Sequence, residues 1–400
     1  MGSGKSSSVI NFMNANPDKK YIYITPYLDE AERIKNGCPD LHFVEPSDKL
    51  PEYKFSKTEH SLYLISKGLN ITSTHAMFRL YTKAICDLIK EKGYTLIVDE
   101  SVDVFTEAEY KIGDIEVLLN GGYITMSDGV YVSTGLEYTG GALSDLFKML
   151  KCNNLIKINN DLYYWALPIE VIQAFTDIYI LTYLFDCQDL FYYLKMHNIE
   201  FQYIGVKRQK SGQYCFTEDT DIMPDYVSRI TDLIHIFDNK KLNDIGSKIR
   251  ALSVSWYKRR AKDTVDVLKN NTYNYMRNYN KNIPANKKMW STFKDIKHYM
   301  RGEGYSSGYT VYNQKATNEL RDKVVLAYLV NIFVNPEKVN YFARHNIKLD
   351  QDRYALAIML QWIWRSAIRD GKEIWVYIPS SRMRNLLQEW LNSLSKVEIV

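Results

Sequence analysis

Gly4-Lys5-Ser6 stands near the start of the chain, and Asp99-Glu100 closes the apolar run Tyr94-Thr95-Leu96-Ile97-Val98. These are the residue types that hold and cut a phosphoanhydride. Small glycines let backbone N–H groups approach phosphate oxygens, a lysine ammonium meets the outer phosphates, and a hydroxyl ligates Mg²⁺. An aspartate ending a buried strand holds the same cation, and a neighbouring glutamate orients the attacking water. Gly2, Gly4, Lys5, Ser6 and Ser7 are therefore the expected ATP contacts, with Ser6 and Asp99 as Mg²⁺ ligands and Lys5, Asp99 and Glu100 as catalytic groups. A Gly-Ser-Lys string at a terminus also suits an unstructured start, and a lone Val-Asp-Glu also suits a solvated acidic turn. Taken together they favour a nucleotide site. The full pattern G-x-x-x-x-G-K-[ST] would place its first glycine two positions before Met1. The strand that normally feeds such a loop is thus expected to be missing.

Gln361, Arg365 and Arg369 form a second set. Residues four apart share one face of a helix, so the three are expected on a single stripe. An arginine touching a transferring phosphate can speed the reaction by about 10³–10⁵-fold. The same spacing also fits an amphipathic helix whose arginines pair with surface acids. Next to a phosphate loop and an Asp-Glu strand, the catalytic role is preferred. A third set lies between Trp256 and Arg301, where Lys258, Arg259, Arg277, Lys287 and Lys288 alternate with Tyr257, Tyr275, Trp290 and Phe293. Cations on phosphates and rings under bases are how single strands are held, whereas rings turned into a core would leave only a solvated basic face.

The elements that must position these groups follow from periodicity. Tyr21–Thr25 closed by Pro26, Asn70–His75 and Tyr94–Asp99 are expected strands, separated by a charged helix from Asp29 to about Lys35 and a helix from Ala76 to Lys92. Strands alternating with helices imply a doubly wound, mainly parallel sheet. Gly121-Gly122, Asp128-Gly129 and Gly140-Gly141 mark turns in an insertion of about 102–165 that is expected to form hairpins. Asp177–Tyr183 returns to the sheet. Further strands are expected over Glu200–Val206, Gly308–Asn313 and Glu373–Pro379, with helix from Ile245 to Tyr279.

With 400 residues, 46% hydrophobic and 24% charged, the composition is that of a globular protein large enough for two domains. The five cysteines show no C-x-x-C spacing and the seven histidines no H-x-x-x-H, which argues against a zinc site or disulfide framework. Nothing reads as a signal core or a membrane span, so a cytoplasmic location, that of the host if viral, is expected.

The order Gly-Ser-Gly-Lys-Ser, Ile-Thr-Pro, Thr-His, Val-Asp-Glu-Ser, Leu-Thr-Tyr, Ala-Thr-Asn and Gln-x-x-x-Arg-x-x-x-Arg resembles superfamily 2, DEAD-box-like helicases of bacteriophages and mobile elements. The resemblance implies an α/β fold of two RecA-like P-loop NTPase domains, 1–185 and 186–400, using ATP and Mg²⁺. It places Thr25, Pro26, Thr74, His75, Thr317 and Asn318 toward nucleic acid and makes Leu181-Thr182-Tyr183 the coupling block. It also sends Gln361, Arg365 and Arg369 to the γ-phosphate. The acidic block ends in Ser101, the coupling block carries Tyr183 where alanine is usual, and the arginines are four apart where three is common. The implied activity is an ATP-dependent helicase or translocase acting on single- or double-stranded nucleic acid. The expected nucleic acid is DNA, in phage or mobile-element replication or recombination with other replication proteins. A DNA-packaging type of motor and a nucleic-acid-binding protein with a decayed ATPase are the alternatives.

Overall fold

The computed structural model describes residues 4–26, 28–108, 110, 112–127, 129–139, 141–152, 154–159, 162–220, 227–259, 262–313 and 319–395. They fall into two compact units, one drawn from 4–222 and 336–349, the other from 223–335 and 350–400. Both are mixed α/β with a parallel sheet at the centre.

In the first unit, helix α1 (Lys5–Asn14) comes before the sheet, which the chain enters at β1 (Lys20–Thr25). Helix α2 (Leu28–Gly37), β2 (Ile71–Thr74) and β3 (Tyr94–Asp99) follow. β1 and β3 are buried along almost their whole length, as expected for central strands covered on both faces. An insertion carries β4 (Phe105–Glu107), β5 (Ile124–Ser127), β6 (Val130–Ser133), β7 (Leu155–Asn159) and β8 (Leu162–Ala166). These form a separate antiparallel sheet in the order β4–β8–β7–β6–β5, so the hairpins announced by the glycine pairs are present. Their core is Leu118, Tyr131, Phe147, Leu150, Leu155 and Trp165.

β9 (Asp177–Leu181) then rejoins the first sheet, giving the parallel order β2–β1–β3–β9. Thr25 lies opposite Thr74, and Asp99 opposite Leu181. The carboxyl ends of four strands therefore share one edge, the edge at which open α/β sheets bind ligands. A hairpin of β10 (Gly205–Arg208) and β11 (Tyr214–Thr217) packs on α1. Phe216 stacks on Tyr179 of β9 at 5.8 Å between ring centroids and leans on Phe12 of α1 at 5.7 Å.

The second unit has β12 (Ile234–Ile236), β13 (Lys288–Ser291), β14 (Val325–Tyr328) and β15 (Ile374–Tyr377), all parallel, in the order β12–β15–β14–β13. Its core gathers Trp256, Tyr257, Leu268, Tyr275, Trp290 and Tyr377. Helices Val254–Arg259 and Lys262–Tyr273 lead into a π-helical turn over Asn274–Tyr279, within the stretch expected to be helical.

Three sequence expectations are corrected here. Gly308–Asn313 is not a strand: its only ladder pairing with β13 among the described residues is an isolated Trp290–Tyr309 bridge. Gly308 is pressed so close to the Lys288 carbonyl that a Cβ would lie 2.2 Å from the oxygen. Strand structure near 200 begins only at Gly205, leaving Phe201, Tyr203 and Ile204 exposed. The helix bearing Gln361 ends at Ile363, with Trp364 as its C-cap, so the three polar residues do not share a helical stripe. Ser366 contributes to that ending, since its hydroxyl donates to the Ile363 carbonyl at 2.6 Å and competes with continued helix. Among the described residues, no helix is long and apolar enough to cross a membrane.

Candidate nucleotide site

Gly4 starts the site by ending the loop. Its φ of 80° is left-handed, and its carbonyl accepts the first α1 bond from the Ser8 N–H at 2.8 Å. Only glycine adopts that conformation without strain. Space is also short, because a Cβ on Gly4 would lie 2.2 Å from the ring of Tyr214 on β11. Asn11 fixes this arrangement by donating from Nδ2 to the Tyr214 carbonyl at 2.9 Å. Lys5 and Ser6 occupy the first turn of α1, where unsatisfied N–H groups and the helix dipole favour an anion.

Opposite them stand the acids that end β3. Burial pulls the Lys5 ammonium below the usual lysine range, while the charges of Asp99 and Glu100 push it back up. Asp99 is pushed from the ordinary 3.8 up to about 7, first by burial and then by Glu30 and Glu100, against the opposing pull of Lys5 and Arg33. A desolvated carboxylate beside other acids favours its protonated form even with Lys5 and Arg33 near, a condition that a divalent cation would relieve. Glu100 has a φ of 60° and its N–H donates to the Leu181 carbonyl at 3.2 Å. A non-glycine residue held in that region marks a site whose backbone is fixed by its surroundings.

The remaining candidates on this edge divide by role. His75 Nε2 lies 3.1 Å from the Asp99 carbonyl oxygen, tying the end of β2 to the end of β3. Thr74 Oγ1 accepts the Met77 N–H at 3.3 Å and so caps the short helix His75–Phe78. Thr25 is buried and Pro26 half-buried. Thr182 hydrogen-bonds to Gln188, whose Nε2 also donates to the Tyr183 carbonyl at 2.9 Å, so Leu181-Thr182-Tyr183 is braced by the N-cap of the following helix.

Two groups at the site were not singled out in the sequence. Glu30 and Arg33 lie one turn apart on α2 and pair at 2.7 Å, and Arg33 Nη2 donates to Ser7 Oγ on α1 at 3.3 Å. The signal was their i, i+3 spacing just after Thr25-Pro26. It acquires meaning only once β1 is known to end beside Asp99.

In the second unit, Arg365 is buried, Gln361 half-buried and Arg369 exposed in the turn Ala367–Asp370. The basic segment is reassigned in part. Lys288 is 2% exposed, and its ammonium donates to the carbonyls of Met276 and Asn280 at the π-helical turn. Burial and Arg277 lower its pKa. An ammonium buried and spent on carbonyls is not placed to meet a phosphate, which corrects the expectation for Lys288. Lys287 is half-exposed and pairs with Asp322 at 3.4 Å. Tyr275 and Trp290 are core residues, while Tyr279 is 55% exposed. Gly2, Thr317 and Asn318 lie outside the described residues.

Comparison with known proteins places these features in context. A family model described as the YonV C-terminal Rossmann-like domain matches residues 228–391. Among solved structures, an XPD helicase is 12% identical, covers 100% of this chain and 93% of its own, and has a TM-score of 0.46. The S. tokodaii Xpd4 structure is 12% identical over 97% of this chain and 92% of its own, with a TM-score of 0.39. Both are distant likenesses. The SPbeta prophage-derived uncharacterized protein YonV of Bacillus subtilis (strain 168) is 35% identical over 405 residues, covering 98% of this chain and 97% of its own. With that identity over nearly the whole of both proteins, the chain belongs to the YonV family.

Proposed function

We propose that this protein is an ATP-dependent helicase or translocase of nucleic acid, with its nucleotide bound by the 4–222 unit. One observation carries the proposal. A half-buried lysine in the first turn of a helix is set within the field of an Asp-Glu pair at the carboxyl edge of a parallel sheet. The donor set fits Mg²⁺·ATP: N–H groups and an ammonium for phosphates, with the Ser6 hydroxyl and Asp99 carboxylate for a cation that arrives on them. Among the described residues, no cluster of three His, Cys, Asp or Glu side chains is arranged to hold a metal alone.

ATP supplies the phosphoanhydride, and Mg²⁺ neutralises its charge. Lys5 binds the outer phosphates, its partial burial strengthening the attraction. Asp99 would hold the cation, its carboxyl giving up a proton to do so. Glu100 accepts a hydrogen bond from the attacking water and then its proton at a carboxylate oxygen. The edge holding His75, Thr74 and Thr182 is proposed to relay the state of this site to a bound strand. Arg365 and Arg369 are proposed as groups serving the transferring phosphate. Their alanine variants should bind ATP normally and hydrolyse it about a hundredfold more slowly.

ATP turnover measured with and without single-stranded DNA or RNA tests the function. Strand-stimulated turnover is expected. Nucleotide binding without turnover under either condition would contradict a motor and leave a binding protein.

A further inference from the structure

Arg33 projects from the second turn of α2, and its two terminal nitrogens have different employment. Nη1 is held by Glu30 at 2.7 Å, a short charge-assisted contact. Nη2 donates to Ser7 Oγ at 3.3 Å. Ser7 is the residue after Ser6 in the first turn of α1, next to backbone N–H groups of the kind that cradle the α- and β-phosphates in phosphate loops. The long contact to a neutral hydroxyl is a weak use of a guanidinium, whose planar fork suits two oxygens of a phosphate.

An ordinary surface ion pair is the competing account, since the Arg33 side chain is 48% exposed and Glu30 26%. Such pairs contribute little to stability and serve no ligand. The bond to Ser7 distinguishes the two. It crosses from α2 to the helix whose N-terminus is the phosphate cradle, and a solvated pair has no need of it.

We propose, resting on the nucleotide site described above, that Arg33 is a further nucleotide-binding residue. It exchanges the Ser7 hydroxyl for oxygens of the inner phosphates, while Glu30 aims it. Because its target is the inner end of the chain, Arg33 acts on ATP and ADP alike. Lys5, meeting the outer phosphates, acts more strongly on ATP.

The test is equilibrium binding of ATP and ADP, each with Mg²⁺, to wild type and to Lys5→Ala, Arg33→Ala, Arg33→Lys and Glu30→Gln, with folding checked by thermal melting. Arg33→Ala is expected to weaken both nucleotides equally, by about tenfold, the scale of one hydrogen bond to a charged group. Arg33→Lys should recover part of the loss, and Glu30→Gln should weaken both nucleotides by less than Arg33→Ala does, because the guanidinium remains but loses its charged partner. Lys5→Ala should weaken ATP more than ADP. Wild-type affinity in Arg33→Ala beside a defective Lys5→Ala would overturn this inference and leave the nucleotide site standing. An equal loss in Arg33→Ala and Glu30→Gln would also overturn it, by showing that the pair only fixes α2. Wild-type affinity in Lys5→Ala would overturn the nucleotide site and this inference with it.

Discussion

The carboxyl edge of the first sheet and the basic, aromatic segment of the second unit both invited a functional assignment, and they fared differently. At the sheet edge, residues distant in sequence are brought together by register. Thr25 is level with Thr74 and Asp99 with Leu181, and α1 sets Lys5 against Asp99 and Glu100. In the basic segment, the same mixture of cations and rings turns mostly inward. Tyr275 and Trp290 fill the core, and Lys288 closes the open carbonyls of a π-helical turn. Composition alone does not separate a ligand-facing lysine from a structural one. What separates them is whether the carbonyls or the carboxylates around the ammonium leave it something still to bind.

The comparison breaks most readily at Glu100. Glu100→Gln should keep Mg²⁺·ATP bound, since Lys5, Ser6 and Asp99 remain, and slow turnover by at least about a hundredfold, the scale of a lost general base. Single-turnover hydrolysis checks this, and a normal rate would move the water-orienting role elsewhere.

Lys288 gives the next largest effect, of the opposite kind. Lys288→Met leaves the Met276 and Asn280 carbonyls without their donor and should cost about 1–3 kcal/mol of stability, with strand affinity unchanged. Lys287→Glu, on a half-exposed ion pair, should alter stability by less than about 1 kcal/mol. If Lys287 meets a strand, the variant lowers the salt slope of binding by roughly one unit. Denaturation and salt-dependent binding of the two variants sharpen the contrast between adjacent lysines.

A pH dependence is expected as well. Asp99 is raised from 3.8 in the unfolded chain to about 7 in the folded one. The nucleotide-free folded protein therefore holds more protons than the unfolded chain between these values. The Asp99 contribution is fully present below about pH 4 and is lost as pH rises through about 7. Melting temperatures of wild type should fall relative to those of Asp99→Asn across that window, and parallel profiles would show that Asp99 is already compensated.

Much of this was legible in the sequence for physical reasons. A strand buried on both faces must be a continuous apolar run, so Tyr94–Asp99 announced itself. The glycine pairs of the insertion announced turns, because left-handed backbone is cheap for glycine. The arrangement of Glu30, Arg33 and Ser7 was not legible, since it depends on which helix faces lie beside one another in the fold. Tyr214 was hidden for the same reason: 210 residues separate it from the Gly4 it covers. The burial of Lys288 ran against the usual preference of lysine for water. It is explained by the π-helical turn, whose carbonyls need a donor. The end of the helix at Ile363 was signalled by Ser366, a weak cue beside the apolar Trp362-Ile363-Trp364.

The central claim is that the first turn of α1 and the end of β3 bind a metal-complexed nucleoside triphosphate. Calorimetric titration of the full chain with Mg²⁺·ATP, wild type against Lys5→Ala, tests it most directly. Saturable binding by wild type and a loss of at least about a hundredfold in the variant are predicted. Equal affinity in the two proteins, or no binding by a folded wild type, would contradict the claim.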